Sequence, residues 1–327
     1  MPNFPNYESL IQMMPAGEAW PPSRMWGIHD FALESAQRGQ TFIDAVDAYF
    51  GPSPDGETFA ARAQWINYDG YRAMFESRSK QRRGLLLWMS HPAWPSMAFC
   101  TYDWYLDGTA SYYACRKACE PIHIQWNPAA EKVEVVNYSA GDKTGLRAVA
   151  QVYDLFGIVV ATQEAVLDSR EDSTGSLFGI DFSAAGFAPG DTTSAGACLL
   201  RLQLFEGDRL LSHNDYFLAQ KTDNLQALNT IPGAKVKIRQ DHPHSRSVTD
   251  TITLTNESDN PALMLHLVLR RPDGTRILPA FWSDNYIHLM PGETRTLAFS
   301  TLDIHDEIGS FEMTGFNVPK TTENFIF

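Results

Sequence analysis

Apolar and polar positions follow two different rhythms along this chain, and the change of rhythm divides it. In the first part the spacing is helical. Phe42, Ile43, Val46, Tyr49 and Phe50 recur at three- and four-residue steps, which predicts an amphipathic helix over 41–50. Gly51, Pro52, Ser53 and Pro54 break it. A second helix is expected from Asp55, a good N-cap, with Phe59, Ala63, Ile66, Gly70 and Met74 on its buried face. Lys80, Arg82, Arg83 and then Gly84 suit the C-terminal end of that helix, where positive charge and a left-handed residue are favoured. A third helix is expected over 111–120. From Trp126 onward the rhythm shortens to alternation with turn residues between runs. It predicts strands at 132–138, 146–153, 158–165, 199–205 and 214–218, and a second set at 234–240, 248–256, 263–270, 286–289 and 294–300. The turns are 154–157 and 206–208 in the first set, and 271–274 and 290–292 in the second.

The two sets read as diverged copies. Each has a strand ending in Asn (Asn137, Asn256), then a long strand, then a turn ending in Gly (Gly157, Gly274). Each copy is close to the ~100 residues of an immunoglobulin-like sandwich. The expected organisation is therefore a helix-rich part over 1–125, one sandwich over 126–221 and a second over 222–327, with 222–232 as linker.

One run fits neither rhythm. Residues 85–88 (Leu-Leu-Leu-Trp) are wholly apolar and are followed by His91, Pro92, Trp94 and Pro95. Such a run reads as a strand buried on both faces, as in a parallel sheet covered by helices. A loop leaving the C-terminal end of such a strand is where α/β folds bind ligands. No second run of this kind exists in the chain, and a lone strand is not stable without neighbours. The expectation is that 1–125 pairs with another chain or that the native protein continues upstream of Met1.

Composition narrows the function classes. The net charge of −13 argues against nucleic acid, whose phosphates need clustered Lys and Arg. No apolar run approaches the roughly 20 residues that cross a bilayer, so no membrane partner is expected. Residues 1–6 lack the basic and apolar regions of a signal peptide, and the compartment stays open. Eight Trp, twelve Tyr and nineteen Phe would furnish flat platforms for sugars, though large cores use the same residues. Cys115, Cys119 and His123 sit near one helix face, but their spacing fits no common zinc module. No nucleotide motif and no nucleophile elbow is present. No metal or cofactor is expected.

Beyond these patterns, several stretches resemble family 2 glycoside hydrolases, in their C-terminal part and in the exo-β-glucosaminidase and β-mannosidase branch. They are 84–90 (Gly-Leu-Leu-Leu-Trp-Met-Ser), 93–96 (Ala-Trp-Pro-Ser), 102–105 (Tyr-Asp-Trp-Tyr) and 118–125 (Ala-Cys-Glu-Pro-Ile-His-Ile-Gln). Upstream, 26–31 and 67–76 are similar to that branch, as are 282–286 and 289–293 near the end. The resemblance implies that 1–125 is the last helix-strand-helix of a (β/α)8 barrel and that the two sandwiches follow it. It also implies that the acid/base Glu, ending the fourth barrel strand, and the nucleophile Glu, ending the seventh, both precede Met1.

A retaining glycosidase needs two carboxyl groups about 5 Å apart. Of Glu8, Glu18, Asp30, Asp69, Glu76, Asp103 and Glu120, none is expected to end a parallel strand, so no catalytic residue is assigned within the chain. Trp88 is the expected substrate-binding residue, because the resemblance makes it the floor of the terminal-sugar subsite. His91 and Trp94 belong to the same loop. His91 could donate to a sugar hydroxyl or sit on the surface, and Trp94 could touch sugar or anchor the loop. His29 and Asp30 are expected as a structural pair. The resulting expectation is the C-terminal portion of an exo-acting retaining β-glycosidase for β-glucosaminide or β-mannoside, inactive alone. The alternatives are a non-catalytic carbohydrate-binding or interaction module built on the sandwiches, or one chain of a split glycosidase. The expected partners are a terminal β-linked sugar and the N-terminal part of the enzyme.

Overall fold

A computed structural model describes residues 2–34, 38–77, 85–97, 99–186, 196–221, 224–241, 249–302 and 307–325. The chain opens with three short helices, α1 (Tyr7–Met13), α2 (Ala16–Ala19) and α3 (Arg24–Ile28), followed by α4 (Gly39–Phe50), α5 (Gly56–Glu76) and α6 (Ala110–Ala118). The Asp55 side chain accepts from Thr58 N at 2.7 Å and caps α5. Around Phe4 an aromatic knot forms. Its ring stands 5.1 Å from both Trp26 and Phe59, and all three side chains are fully buried. The expected C-terminal signal of the second helix, residues 80–84, lies outside the described residues.

Residues 85–88 are not a strand. Leu86 is 98% exposed and Trp88 82% exposed, the reverse of a run buried on both faces. A strand exists only where its backbone is hydrogen-bonded to a neighbour, and no described residue supplies one here. Residues 85–88 are therefore no unpartnered strand that would call for a missing sheet.

The first sandwich pairs β1 (Ile122–Asn127), β2 (Lys132–Asn137) and β5 (Ser173–Ser176) in the order β1-β2-β5. Its other sheet runs β4-β3-β6-β7, from β3 (Lys143–Tyr153), β4 (Val159–Ser169), β6 (Ala197–Glu206) and β7 (Arg209–Ala219). Ile124, Val133, Val135, Leu146, Leu200 and Leu202 fill the space between the sheets. β1 begins ahead of the boundary placed at 126.

The second sandwich has β8 (Val236–Gln240), β9 (Thr249–Asn256), β11 (Ala280–Trp282) and β13 (Thr294–Thr301) in the order β11-β13-β9-β8. Facing it are β10 (Ala262–Arg270), β12 (Ile287–Leu289), β14 (Ser310–Thr314) and β15 (Thr321–Asn324), ordered β12-β10-β14-β15. The repeat read in the sequence has a structural counterpart. Asn137 Nδ2 donates to Gly141 O at 2.9 Å and Asn256 Nδ2 donates to Asn260 O at 2.9 Å. Each asparagine is buried at the end of its strand and holds the following turn. The copies also touch. Gly157 has φ +83°, and a Cβ built there would stand 2.5 Å from Pro291, so this turn requires glycine on both counts.

Candidate functional site

The segment from 85 to 104 is held as a cross-linked loop. Met89 N donates to Phe99 O at 2.8 Å, and Tyr102 N donates to Ser90 O at 2.9 Å. The Trp88–Met89 peptide is cis. Trp88 stands just before the first of these cross-links with its indole almost wholly in solvent. An exposed indole face on an anchored loop can stack on the CH groups of a pyranose.

Of the three substrate-binding residues expected from the sequence, Trp94 is the one the structure ties down. Its Nε1–H donates to Asp30 Oδ2 at 3.0 Å, and its ring stacks on His29 at 5.4 Å and 16°. His29 Nδ1 donates to Pro95 O at 2.7 Å, and Met97 N donates to His29 O at 2.9 Å. The turn after α3 therefore grips the loop with both side chains and one carbonyl. Asp30 occupies the left-handed region at φ +64°, which a short polar residue tolerates. His91 is exposed and stacks on Trp104 at 6.0 Å. Sequence reasoning used Trp104 only as part of a motif and did not single it out.

Carboxyl groups near this loop are already engaged. Residues 85–107 contain only Asp103 and Asp107 as acids. Asp103 Oδ1 accepts from Tyr105 N and Asp107 N, both at 2.9 Å. Burial, reinforced by the Asp107 charge, pushes Asp103 up to about 7. A carboxyl poised near neutrality is a functional signal, but this one is 3% exposed and folded into its own turn. Asp107 Oδ2 takes Arg276 Nη1 and Asn6 Nδ2, both at 2.8 Å.

A second polar cluster lies where α5 and α6 meet the first sandwich. Buried His123 is bracketed by Glu76 Oε1 at 2.9 Å and Glu120 Oε2 at 3.2 Å. Tyr216 donates its hydroxyl to Glu76 Oε1 at 2.8 Å, and Ser212 donates to Glu120. Burial opposes a charge on the imidazole, but the hydrogen bonds to Glu120 and Glu76 outweigh it and raise His123 above its ordinary value. Both ring nitrogens are thus spent, and His123 does not join Cys115 and Cys119 as a ligand. A group whose folded value is raised contributes stability in full below its unfolded pKa and loses it as pH rises through the folded one. The chain is therefore expected to lose thermal stability from neutral toward alkaline pH, and His123→Gln to flatten that slope. Equal slopes in melting temperature against pH for the two proteins would contradict this.

Among the described residues no three His, Cys, Asp or Glu side chains form a metal-holding group. His242 and His244, two histidines separated in the sequence by one proline, lie outside them.

The geometry can be set beside known proteins. The family model for the exo-β-D-glucosaminidase immunoglobulin-fold domain matches residues 214–318, from β7 to just past β14. An exo-β-D-glucosaminidase of Amycolatopsis orientalis is 27% identical over 98% of this chain and 34% of its own length. This chain matches the C-terminal part of exo-β-glucosaminidase-like family 2 glycoside hydrolases. A mannosylglycoprotein endo-β-mannosidase of Lilium longiflorum is 30% identical over 42% of the chain and 14% of its own length. The crystal structure of the Amycolatopsis orientalis exo-chitosanase superposes with a TM-score of 0.83 at 24% identity, covering 99% of this chain and 42% of that one. A β-D-mannosidase from Dictyoglomus thermophilum gives 0.74 at 20% identity, covering 97% of this chain and 37% of that one. These two likenesses show the fold. The chain spans about a third of the length of the curated exo-β-D-glucosaminidases it matches.

Proposed function

We propose that this chain forms one wall of the sugar pocket, and the supporting sandwiches, of an exo-acting retaining β-glycosidase for terminal β-glucosaminide or β-mannoside. The observation that carries the reading is the Trp88 indole, 82% exposed on a loop that is cross-linked behind it and gripped by His29 and Asp30. Trp88 stacks on the apolar face of the terminal sugar, and the His29–Asp30 grip orients the loop. Trp94 serves the grip, and His91 faces solvent beside Trp104. The chemistry belongs to two carboxyl groups, one attacking the anomeric carbon and one protonating the leaving oxygen. The family resemblance supports a position for both ahead of this stretch. The acids around the loop are engaged in turns, an indole contact and an ion pair, which agrees with that division of labour.

The test is sugar binding by the chain. Glucosamine is expected to bind weakly, and Trp88→Ala to weaken it about tenfold, the order of one aromatic contact. Binding by titration calorimetry that is unchanged in Trp88→Ala would remove the platform and favour the sandwiches as the glycan-binding unit.

A further inference from the structure

Two imidazole–indole stacks flank the same loop, and they are wired differently. In the first, His29 against Trp94, the indole N–H and the imidazole Nδ1 are both used. Trp94 Nε1–H goes to Asp30, and His29 Nδ1–H goes to Pro95 O. In the second, His91 against Trp104, the rings lie 6.0 Å apart at 23°. Among the described residues, neither the indole N–H nor an imidazole nitrogen of this pair has a hydrogen-bond partner. His91 is exposed and Trp104 is 40% exposed. The first stack is a fastening. The second leaves an aromatic face and unused polar edges in solvent, on a loop that does not need them for its own hydrogen bonds.

We propose that Trp104, with His91 across it, is a second sugar-binding surface, for the pyranose unit adjoining the terminal one. This rests on the reading of Trp88 as the terminal-sugar platform. The Tyr102 N to Ser90 O bond sets His91 and the chain leading to Trp104 just past the same cross-link. Trp88 precedes His91 by so few residues that their Cα atoms can be no more than roughly 10 Å apart along an extended backbone. That separation suits neighbouring units of one saccharide chain. The indole face takes the CH side of a ring, while the indole N–H and the imidazole nitrogens meet hydroxyls. A plain apolar ligand would leave those polar edges unused, so the chemistry favours a polyhydroxylated one.

The experiment compares glucosamine with its β-linked trimer on the chain, by titration calorimetry. The wild type is expected to bind the trimer more tightly than the monomer. Trp104→Ala is expected to weaken the trimer about tenfold and leave the monomer unchanged, and Trp104→Phe to restore most of the trimer affinity. Unchanged melting curves establish that the variants fold. Trimer affinity that survives Trp104→Ala, a wild type that does not bind the trimer, or equal losses for monomer and trimer would each overturn the proposal. Trp88→Ala separates the two readings. If it spares the monomer while Trp104→Ala still weakens the trimer, the platform reading fails and the second surface stands.

Discussion

The purified chain is expected to leave aryl β-glucosaminide and aryl β-mannoside unhydrolysed, at a rate equal to buffer alone. Glycosidic bonds break slowly, and enzymes supply accelerations of about 10⁶-fold and more. In a retaining glycosidase that acceleration depends on a nucleophile and an acid/base carboxyl set about 5 Å apart across the scissile bond. A sugar resting on Trp88 would find no such pair in the loop. Asp30 holds the Trp94 indole, Asp103 closes its own turn, and Asp107 is paired with Arg276. Glu76 and Glu120 do share a partner, but it is a buried histidine, which takes one carboxyl on each ring nitrogen. An aryl-glycoside assay decides the matter. Turnover well above buffer, removed by an Asp or Glu variant of this chain, would show that it carries a working carboxyl pair.

The second large effect concerns what makes the two sandwiches act as one support. Arg201 on β6 forms a fork with Asp215 on β7, Nε to Oδ1 at 2.8 Å and Nη2 to Oδ2 at 2.9 Å. Its Nη1 reaches into the second sandwich, to Glu293 Oε2 at 2.6 Å. Arg201 and Asp215 are each only 5% exposed. Burial pushes the Asp215 carboxyl up, but the Arg201 charge more than offsets it and holds Asp215 well below the usual carboxylate range. Arg201→Ala leaves Asp215 buried without its fork and Glu293 with a weaker partner. Truncating one side of a buried pair typically costs about 3–5 kcal/mol. Urea unfolding should show that loss in the midpoint. A loss under about 1 kcal/mol would mean that the sandwiches hold together without this ion pair, through contacts such as the Tyr153, Leu199 and Met290 cluster.

Much of this frame was legible in the sequence because its signals are local. Asp55 and the apolar stripe after it define α5, and Gly157, Gly207, Gly274 and Gly292 all adopt positive φ at the turns expected of them. Asn137 and Asn256 betrayed the repeat because each side chain bonds within its own turn. The misses have physical causes too. A short apolar run reads alike whether it is buried or exposed, because periodicity carries no information about neighbours. That ambiguity turned the exposed 85–88 segment into an expected strand. β5 has the sequence Ser-Thr-Gly-Ser, with no apolar alternation to detect, and β11 is three residues long. At the site, Trp88 was singled out through a motif, but the grip of His29 and Asp30 on Trp94 and Pro95 joins residues 64 and 66 positions apart. No local pattern announces such a contact. The 282–286 motif proved to be a fastening of the same kind. Asn285 bonds both backbone groups of Leu267, and Tyr286 donates to Asn6 at 3.0 Å.

The exposed indoles of the 85–104 loop, and not the sandwiches, are expected to meet the sugar. The chain has eight tryptophans, and Trp26 and Trp65 are sealed in the core. Their indole N–H signals give one nuclear magnetic resonance readout of all of them at once. Titration with glucosamine is expected to shift the Trp88 signal, identified by its loss in Trp88→Ala, while those of Trp26, Trp65 and Trp126 stay still. A titration that moves the Trp126 or Trp282 signal and leaves Trp88 in place would contradict the account.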